Sequence, residues 1–307
     1  MIPWQVIDRA QSSDGTDVVL RRRGDTFVIH TRGTELMSSA QHGSEESLAQ
    51  LTCAELADRP APVVLIGGLG MGFTLRAALD LLPRQARVIV AELLPSVVAW
   101  NQGPLGPLAG HPLRDPRVQI EIADVGKVMR TLRGQCDAVL LDVDNGPGAL
   151  VHAANDGLYS RRGLGLARSA LRPGGYLAVW SATDDRRFQN RLQSCGFAVT
   201  LRRVRAGAHG ASPRHTIYLG RKVQDAAVQA TAEPARADRR SDTRSPARSS
   251  VRSGTRSAHG RGPQGGPAGK AAGKAAGRTR PAAPKTEARS SARRPGAPAP
   301  TPGGRRR

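Results

Sequence analysis

Residues 137–147 read DAVLLDVDNGP: four apolar residues between two acids, then Val143, Asp144, Asn145 and a Gly-Pro turn. A continuous apolar run that stops this abruptly is a buried strand delivering polar groups to its tip. A carboxylate there can hold a cation or take a proton from a bound nucleophile. On an extended strand end, Asp142 and Asp144 share a face, so both could act on one ligand; Asp144 could equally point to water. The plainer reading of either acid is a solvated strand end.

A second constellation precedes it. Gly67-Gly68-Leu69-Gly70-Met71-Gly72 follows the run VVLI and opens an apolar segment. Glycine lets the chain turn sharply and lets a ligand come close to the backbone. The dinucleotide form of such a turn needs a small residue where Phe73 stands, and no Gly-Lys-Ser/Thr forms a phosphate loop. Glu92 ends the next apolar run, 22 residues after Gly70, and Asp124 ends the one after that. An acid at the first position can accept two ribose hydroxyls, and one at the second can meet an adenine amino group. Gly67, Gly68, Gly70, Gly72, Glu92 and Asp124 are thus the candidate nucleoside-binding residues.

These residues need an alternating scaffold. PVVLIGG, ARVIVAEL, VQIEIAD, DAVLLDVD and YLAVWSA are predicted strands, with helices over FTLRAALDLL, SVVAWNQ, VGKVMRTLR and RRGLGLARSAL between them. Apolar strands between helices predict a parallel sheet covered on both faces. LRPGG reads as a stop and turn. After a helix over RFQNRLQSCG, FAVTLRRVR and RHTIYLGR are two strands joined by a loop too short for a crossover, hence antiparallel. Residues 1–43 alternate around Gly24-Asp25 and predict a small β-rich element. Residues 44–57 fit a helix with Ser44 as N-cap. Residues 44–221 would form the nucleoside-binding domain.

The chain of 307 residues carries net charge +21, and its distribution is uneven. Residues 222–307 hold 20 Lys and Arg against 5 Asp and Glu, and the last aromatic residue is Tyr218. A segment so poor in apolar side chains cannot offset the entropy of ordering, so 222–307 is expected to be a disordered basic tail. Its charge would bind nucleic acid or another polyanion without sequence preference, or serve only solubility. Cys53, Cys136 and Cys195 have neither metal spacing nor the pattern of a disulfide framework, and no metal is expected. No apolar run has membrane-spanning length or the look of a signal peptide, and the body is expected to be cytoplasmic.

Five parallel strands followed by an antiparallel pair resemble the α/β sheet of the S-adenosylmethionine-dependent methyltransferase class. Within it, residues 30–220 resemble the polyamine aminopropyltransferases, the spermidine and spermine synthase family. The resemblance rests on GGLGMG at 67–72, VAEL at 90–93, the acid of IAD at 124, and DAVLLDVDNGP with LYS at 137–160. Asp142 and Asn145 match the two acids of the family's Asp-x-x-Asp segment, and Tyr159 matches its later tyrosine. Glu46 falls on the glutamate of the family's N-terminal Tyr-x-Glu-Met segment, with Ser44 in place of the aromatic. The resemblance implies decarboxylated S-adenosylmethionine as co-substrate and a polyamine or other small amine as acceptor. It also implies Asp142 as the catalytic proton acceptor, an acceptor wall of Asn145, Tyr159 and Glu46, and homodimerisation through the N-terminal element. Asp144, an acid the family lacks there, could restore the charge that Asn145 removes, and His42, beside Glu45 and Glu46, is a further candidate contact. Two readings stand beside it: methyl transfer from intact S-adenosylmethionine, and a non-catalytic nucleoside or polyamine binder with a nucleic-acid-binding tail.

Overall fold

The computed structural model describes residues 2–12, 15–143, 146–147, 156–207 and 212–224, with the side chain of Asp156 excepted. Asp144, Asn145 and the expected tail from residue 225 lie outside the described residues.

The N-terminal element is larger than one hairpin. Strands β1 (Gln5–Gln11), β2 (Asp17–Arg23), β3 (Thr26–Thr31) and β4 (Thr34–Ser38) form a four-stranded antiparallel meander. Val18, Leu20, Phe27 and Ile29 pack into the core shared with the main domain, and Val19 and Val28 between them are buried as well. Trp100 Nε1 donates to Asp8 Oδ2 at 2.7 Å and ties the edge strand to the main domain.

Helix α1 (Gly43–Cys53) follows. Its N-cap is His42 rather than the expected Ser44, with no side-chain cap, and Ser44 lies fully buried in the first turn. The remaining elements alternate: β5 (Val63–Gly67), α2 (Phe73–Leu81), β6 (Arg87–Glu92), α3 (Pro95–Gln102), β7 (Val118–Ile122), α4 (Val125–Thr131) and β8 (Cys136–Leu141). Then come α5 (Asp156–Tyr159), α6 (Arg161–Ala170), β9 (Leu171–Ser181), α7 (Arg186–Ser194), β10 (Phe197–Arg205) and β11 (Arg214–Lys222). Asp124, Ser160 and Asp185 cap α4, α6 and α7 by accepting backbone N–H groups, as short polar residues do at helix starts.

The second sheet has seven strands in the order β10-β11-β9-β8-β5-β6-β7. The five from β9 to β7 are parallel, and β11 lies antiparallel between β9 and β10. Every residue of β8 is buried. Ala138 and Leu140 enter the core on one face while Val139 and Leu141 enter that on the other, as a doubly covered sheet requires.

Two local expectations change. LRPGG is taken into β9: Leu171 pairs with Cys136 and Tyr176 with Ala138, so residues 172–175 bulge opposite Asp137. And β11 runs to Lys222, whose ammonium donates to the Arg168 and Leu171 carbonyls at 2.8 and 2.7 Å, so order passes the expected boundary at 221. The three cysteines are free, and Cys53 and Cys136 are buried.

Candidate active site

Register brings the site together. Gly67 pairs with Ala91 on one side and with Leu141 on the other, so the next residues, Gly68, Glu92 and Asp142, emerge along one edge of the sheet. Asp142 N donates to the Gly67 carbonyl and Gly68 N to the Ala91 carbonyl, both at 2.9 Å, fixing where the strands part. Gly68 has φ +88°, and a Cβ there would strike the Asp142 carbonyl oxygen. Glycine is therefore required by both backbone conformation and space. Gly70, at φ +52°, lies under Met37 of β4, through which the N-terminal sheet closes over the turn.

A cavity of about 360 Å³ opens at this edge. Gly68, Gly70, Glu92, Asp124 and Asp142 line it, with Glu35 and Met37 of β4, Glu45 of α1, Trp180 of β9 and His215 of β11. Five carboxylates face it and no Lys or Arg does, among the described residues, in a chain of net charge +21. Such a wall selects cations.

Asp142 is half-buried, and its Oδ2 accepts the Thr74 hydroxyl at 2.5 Å. Burial pushes its carboxyl up to about 6, against the hydrogen bond from Thr74. Glu45 is 9% exposed and stands higher, at about 7, through burial first and the neighbouring Asp142 charge second. The Thr74 hydroxyl is also 3.4 Å from the Glu45 carbonyl, which shows how closely α1 approaches the tip of β8. Two carboxyls whose ordinary state would be anionic are thus held close to neutral pH.

Glu92 is 8% exposed, and its two oxygens accept the Leu69 and Leu94 N–H groups at 2.8 Å each. Burial raises its pKa, and these backbone bonds oppose the rise. Asp124 is exposed at the cavity edge, where its Oδ1 accepts the Lys127 N–H at 2.9 Å. Both acids keep acceptor capacity for a nucleoside.

The other expected residues fall elsewhere. Gly67 and Gly72 do not line the cavity: a Cβ on Gly67 would meet Val125, and one on Gly72 would meet Asn101 and Pro112, so both serve packing. His42 and Glu46 pair at 2.8 Å in a separate surface cleft, where His42 stacks on Phe73 with ring centres 4.0 Å apart. Tyr159 is 1% exposed and edge-on to Phe188, so it does not form a cavity wall. Its hydroxyl donates to the Val143 carbonyl at 3.0 Å, steadying the residue after Asp142. Asp137, the acid at the other end of β8, is fully buried, bonded to Arg59 and Arg172 and to the Val63 N–H at 2.8 Å. The two acids of DAVLLD thus sit at opposite ends of the strand, one in a structural ion-pair knot and one at the cavity.

Glu45 and His215 were not among the expected residues. A signal for Glu45 existed: it shares the buried i, i+3, i+4, i+7 stripe of α1 with Leu48, Ala49 and Thr52. For His215 none existed, since only the insertion of β11 beside β9 carries it to this edge.

No helix among the described residues is long and apolar enough to cross a membrane, and no cluster of metal-ligating side chains occurs among them. No protein-family model matches the chain. A polyamine aminopropyltransferase of Korarchaeum cryptofilum (strain OPF8) is 29% identical over 136 residues, a match covering 44% of this chain and only 40% of that relative's length. A spermidine synthase from Thermotoga maritima superposes with a TM-score of 0.58 at 20% identity, covering 72% of this chain and 74% of that one. A spermidine synthase in complex with the transition-state analogue AdoDATO gives 0.57 at 20% identity, covering 72% and 73%. In fold, then, the chain is similar to the spermidine synthases, a methyltransferase-like sheet preceded by a small antiparallel one, and in sequence it is similar to a polyamine aminopropyltransferase.

Proposed function

We propose that this chain transfers an aminopropyl group from decarboxylated S-adenosylmethionine to a small amine. The observation that carries the reading is the cavity wall: among the described residues, five carboxylates without a Lys or Arg, beside a glycine turn at the carboxyl edge of a parallel sheet. Edges of this kind are where such sheets bind ligands. Donor and acceptor are both cations, and the wall suits both.

The donor's sulfonium makes its propyl carbon electrophilic, and methylthioadenosine leaves. Glu92 and Asp124 would hold the nucleoside by its hydroxyls and amino group, with Gly68 and Gly70 letting it approach the backbone. Only a neutral amine attacks. An alkylamine has a pKa of about 10, so its deprotonation near neutrality costs on the order of 4 kcal/mol. Asp142, desolvated and pushed up to about 6, is matched to that task far better than a free carboxylate. Alignment of nitrogen, carbon and sulfur would contribute the rest. A donor that kept its carboxylate would face Asp142 and Glu45 and be repelled, which favours the decarboxylated form over methyl transfer.

The test is incubation of the full chain with either donor and a panel of diamines. Methylthioadenosine from the decarboxylated donor is the expected product. The demethylated nucleoside from intact S-adenosylmethionine would point to methyl transfer instead, and donor binding without either product would leave a binding protein.

A further inference from the structure

Glu45 enters the cavity with two companions that the transfer itself does not use. The Ser44 hydroxyl donates to Glu45 Oε2 at 2.5 Å, and His215 Nδ1 lies 2.9 Å from that same hydroxyl oxygen. Ser44 is fully buried. His215 is half-buried, lines the cavity, and is held edge-on to Trp180 with ring centres 4.7 Å apart. Glu45, Ser44 and His215 therefore form one continuous line of hydrogen bonds from beside Asp142 to the wall made by β11.

Aminopropyl transfer has a proton to dispose of. The acceptor ammonium loses one proton; its nitrogen forms the new bond to carbon. The carbon–sulfur pair goes to sulfur, and the reacting nitrogen leaves as a protonated secondary amine, the spectator ammonium groups being unchanged. One proton stays behind in each turnover, on Asp142, in a partly desolvated site. Resting on the aminopropyl-transfer reading, we propose that Glu45 takes this proton from Asp142 and that Ser44 and His215 pass it out of the cavity. Once protonated, Glu45 donates to Ser44 instead of accepting from it, which turns the hydroxyl toward His215. The Glu45 carboxyl proton then moves to the Ser44 oxygen as the hydroxyl's own proton moves to Nδ1 of an Nε2-protonated ring. The resulting imidazolium releases its Nε2 proton to water, and exchange with water restores the ring's starting tautomer.

The surroundings favour this direction. Burial raises both carboxyls, and the neighbouring Asp142 charge raises Glu45 further. Burial lowers the His215 pKa, so a proton arriving there is shed readily. The charged groups acting on Glu45 are Asp142 from β8 and Glu46 from its own helix, both raising its affinity for the proton.

His215→Asn separates relay from positioning. The amide oxygen can still accept the Ser44 hydroxyl near the place of Nδ1, but it cannot carry a proton onward. In the full chain, kcat for methylthioadenosine formation should fall by about tenfold or more, with the donor KM within about twofold, and added imidazole should restore part of the loss. Ser44→Ala, a one-atom truncation, should lower kcat similarly by cutting the line. Wild-type kcat in either variant, or a His215→Asn loss indifferent to imidazole, overturns the relay alone. A wild-type chain that forms no methylthioadenosine overturns the transfer reading and the relay with it.

Discussion

Asp142→Asn should make this protein more stable and far less active. The amide is isosteric, and its oxygen can still accept the Thr74 hydroxyl that now bonds Oδ2 at 2.5 Å. What disappears is the charge. Burial holds Asp142 at about 6 in the folded chain, against roughly 4 for an unfolded aspartate. The folded state therefore binds this proton more tightly, and stability falls as pH rises from about 4 through about 6, then stays level. A shift of about two units corresponds to roughly 3 kcal/mol. The carboxylate is only half-buried, and solvent screening reduces this to about 1–2 kcal/mol. For a folded body of this size, that is a rise in Tm of about 3–6 °C for Asp142→Asn at pH near 8, shrinking toward zero near pH 4. Activity should move the other way: loss of a general base lowers kcat by about 10²–10⁴, or roughly 3–5 kcal/mol of transition-state stabilisation. Scanning calorimetry at both pH values and a methylthioadenosine assay on the same preparation measure the two halves. A Tm difference that is absent, reversed or equal at both pH values refutes the desolvation argument. Turnover within about tenfold of wild type refutes the assignment of Asp142.

Three other perturbations have defined outcomes. Gly68→Ala forces a Cβ against the Asp142 carbonyl at φ +88°; denaturant unfolding should show a loss of about 2–4 kcal/mol, and calorimetry should show no donor binding. Asp137→Asn weakens the buried junction with Arg59 and Arg172 and should lower stability by about 2–4 kcal/mol, with donor affinity within about twofold because the site is at the far end of β8. A diamine should bind more tightly as pH rises through the values near 6 and 7 held by Asp142 and Glu45, since a cation favours their ionised forms. Titration calorimetry in two buffers of different ionisation enthalpy should then register proton release, and pH-independent binding would contradict the raised pKa values.

Much of the architecture was legible along the chain. The apolar runs that became β5, β6 and β8, the turn GGLGMG and the acid at 142 are local signals: a strand buried on both faces has no polar position to spare, and φ values above zero demand glycine. LRPGG misled because Pro and Gly mark turns, whereas here they form a bulge that β9 absorbs opposite Asp137.

The allocation of acids was decided elsewhere. Glu45 and Glu46 are adjacent, and one residue on a helix is a rotation of about 100°; which acid meets the cavity depends on how α1 packs, and it packs with Glu45 inward and Glu46 toward His42. Tyr159 was drawn into the core by a hydroxyl acceptor and an aromatic partner distant in sequence. His215 reaches Ser44 across 171 residues because β11 inserts antiparallel beside β9, setting its first residues against the last of a parallel strand. Local composition and backbone sterics determined the strands, the turn and the acid at the tip of β8. Which side chains surround that acid is a matter of contacts between segments far apart in the chain, and those exist only after the sheet has closed.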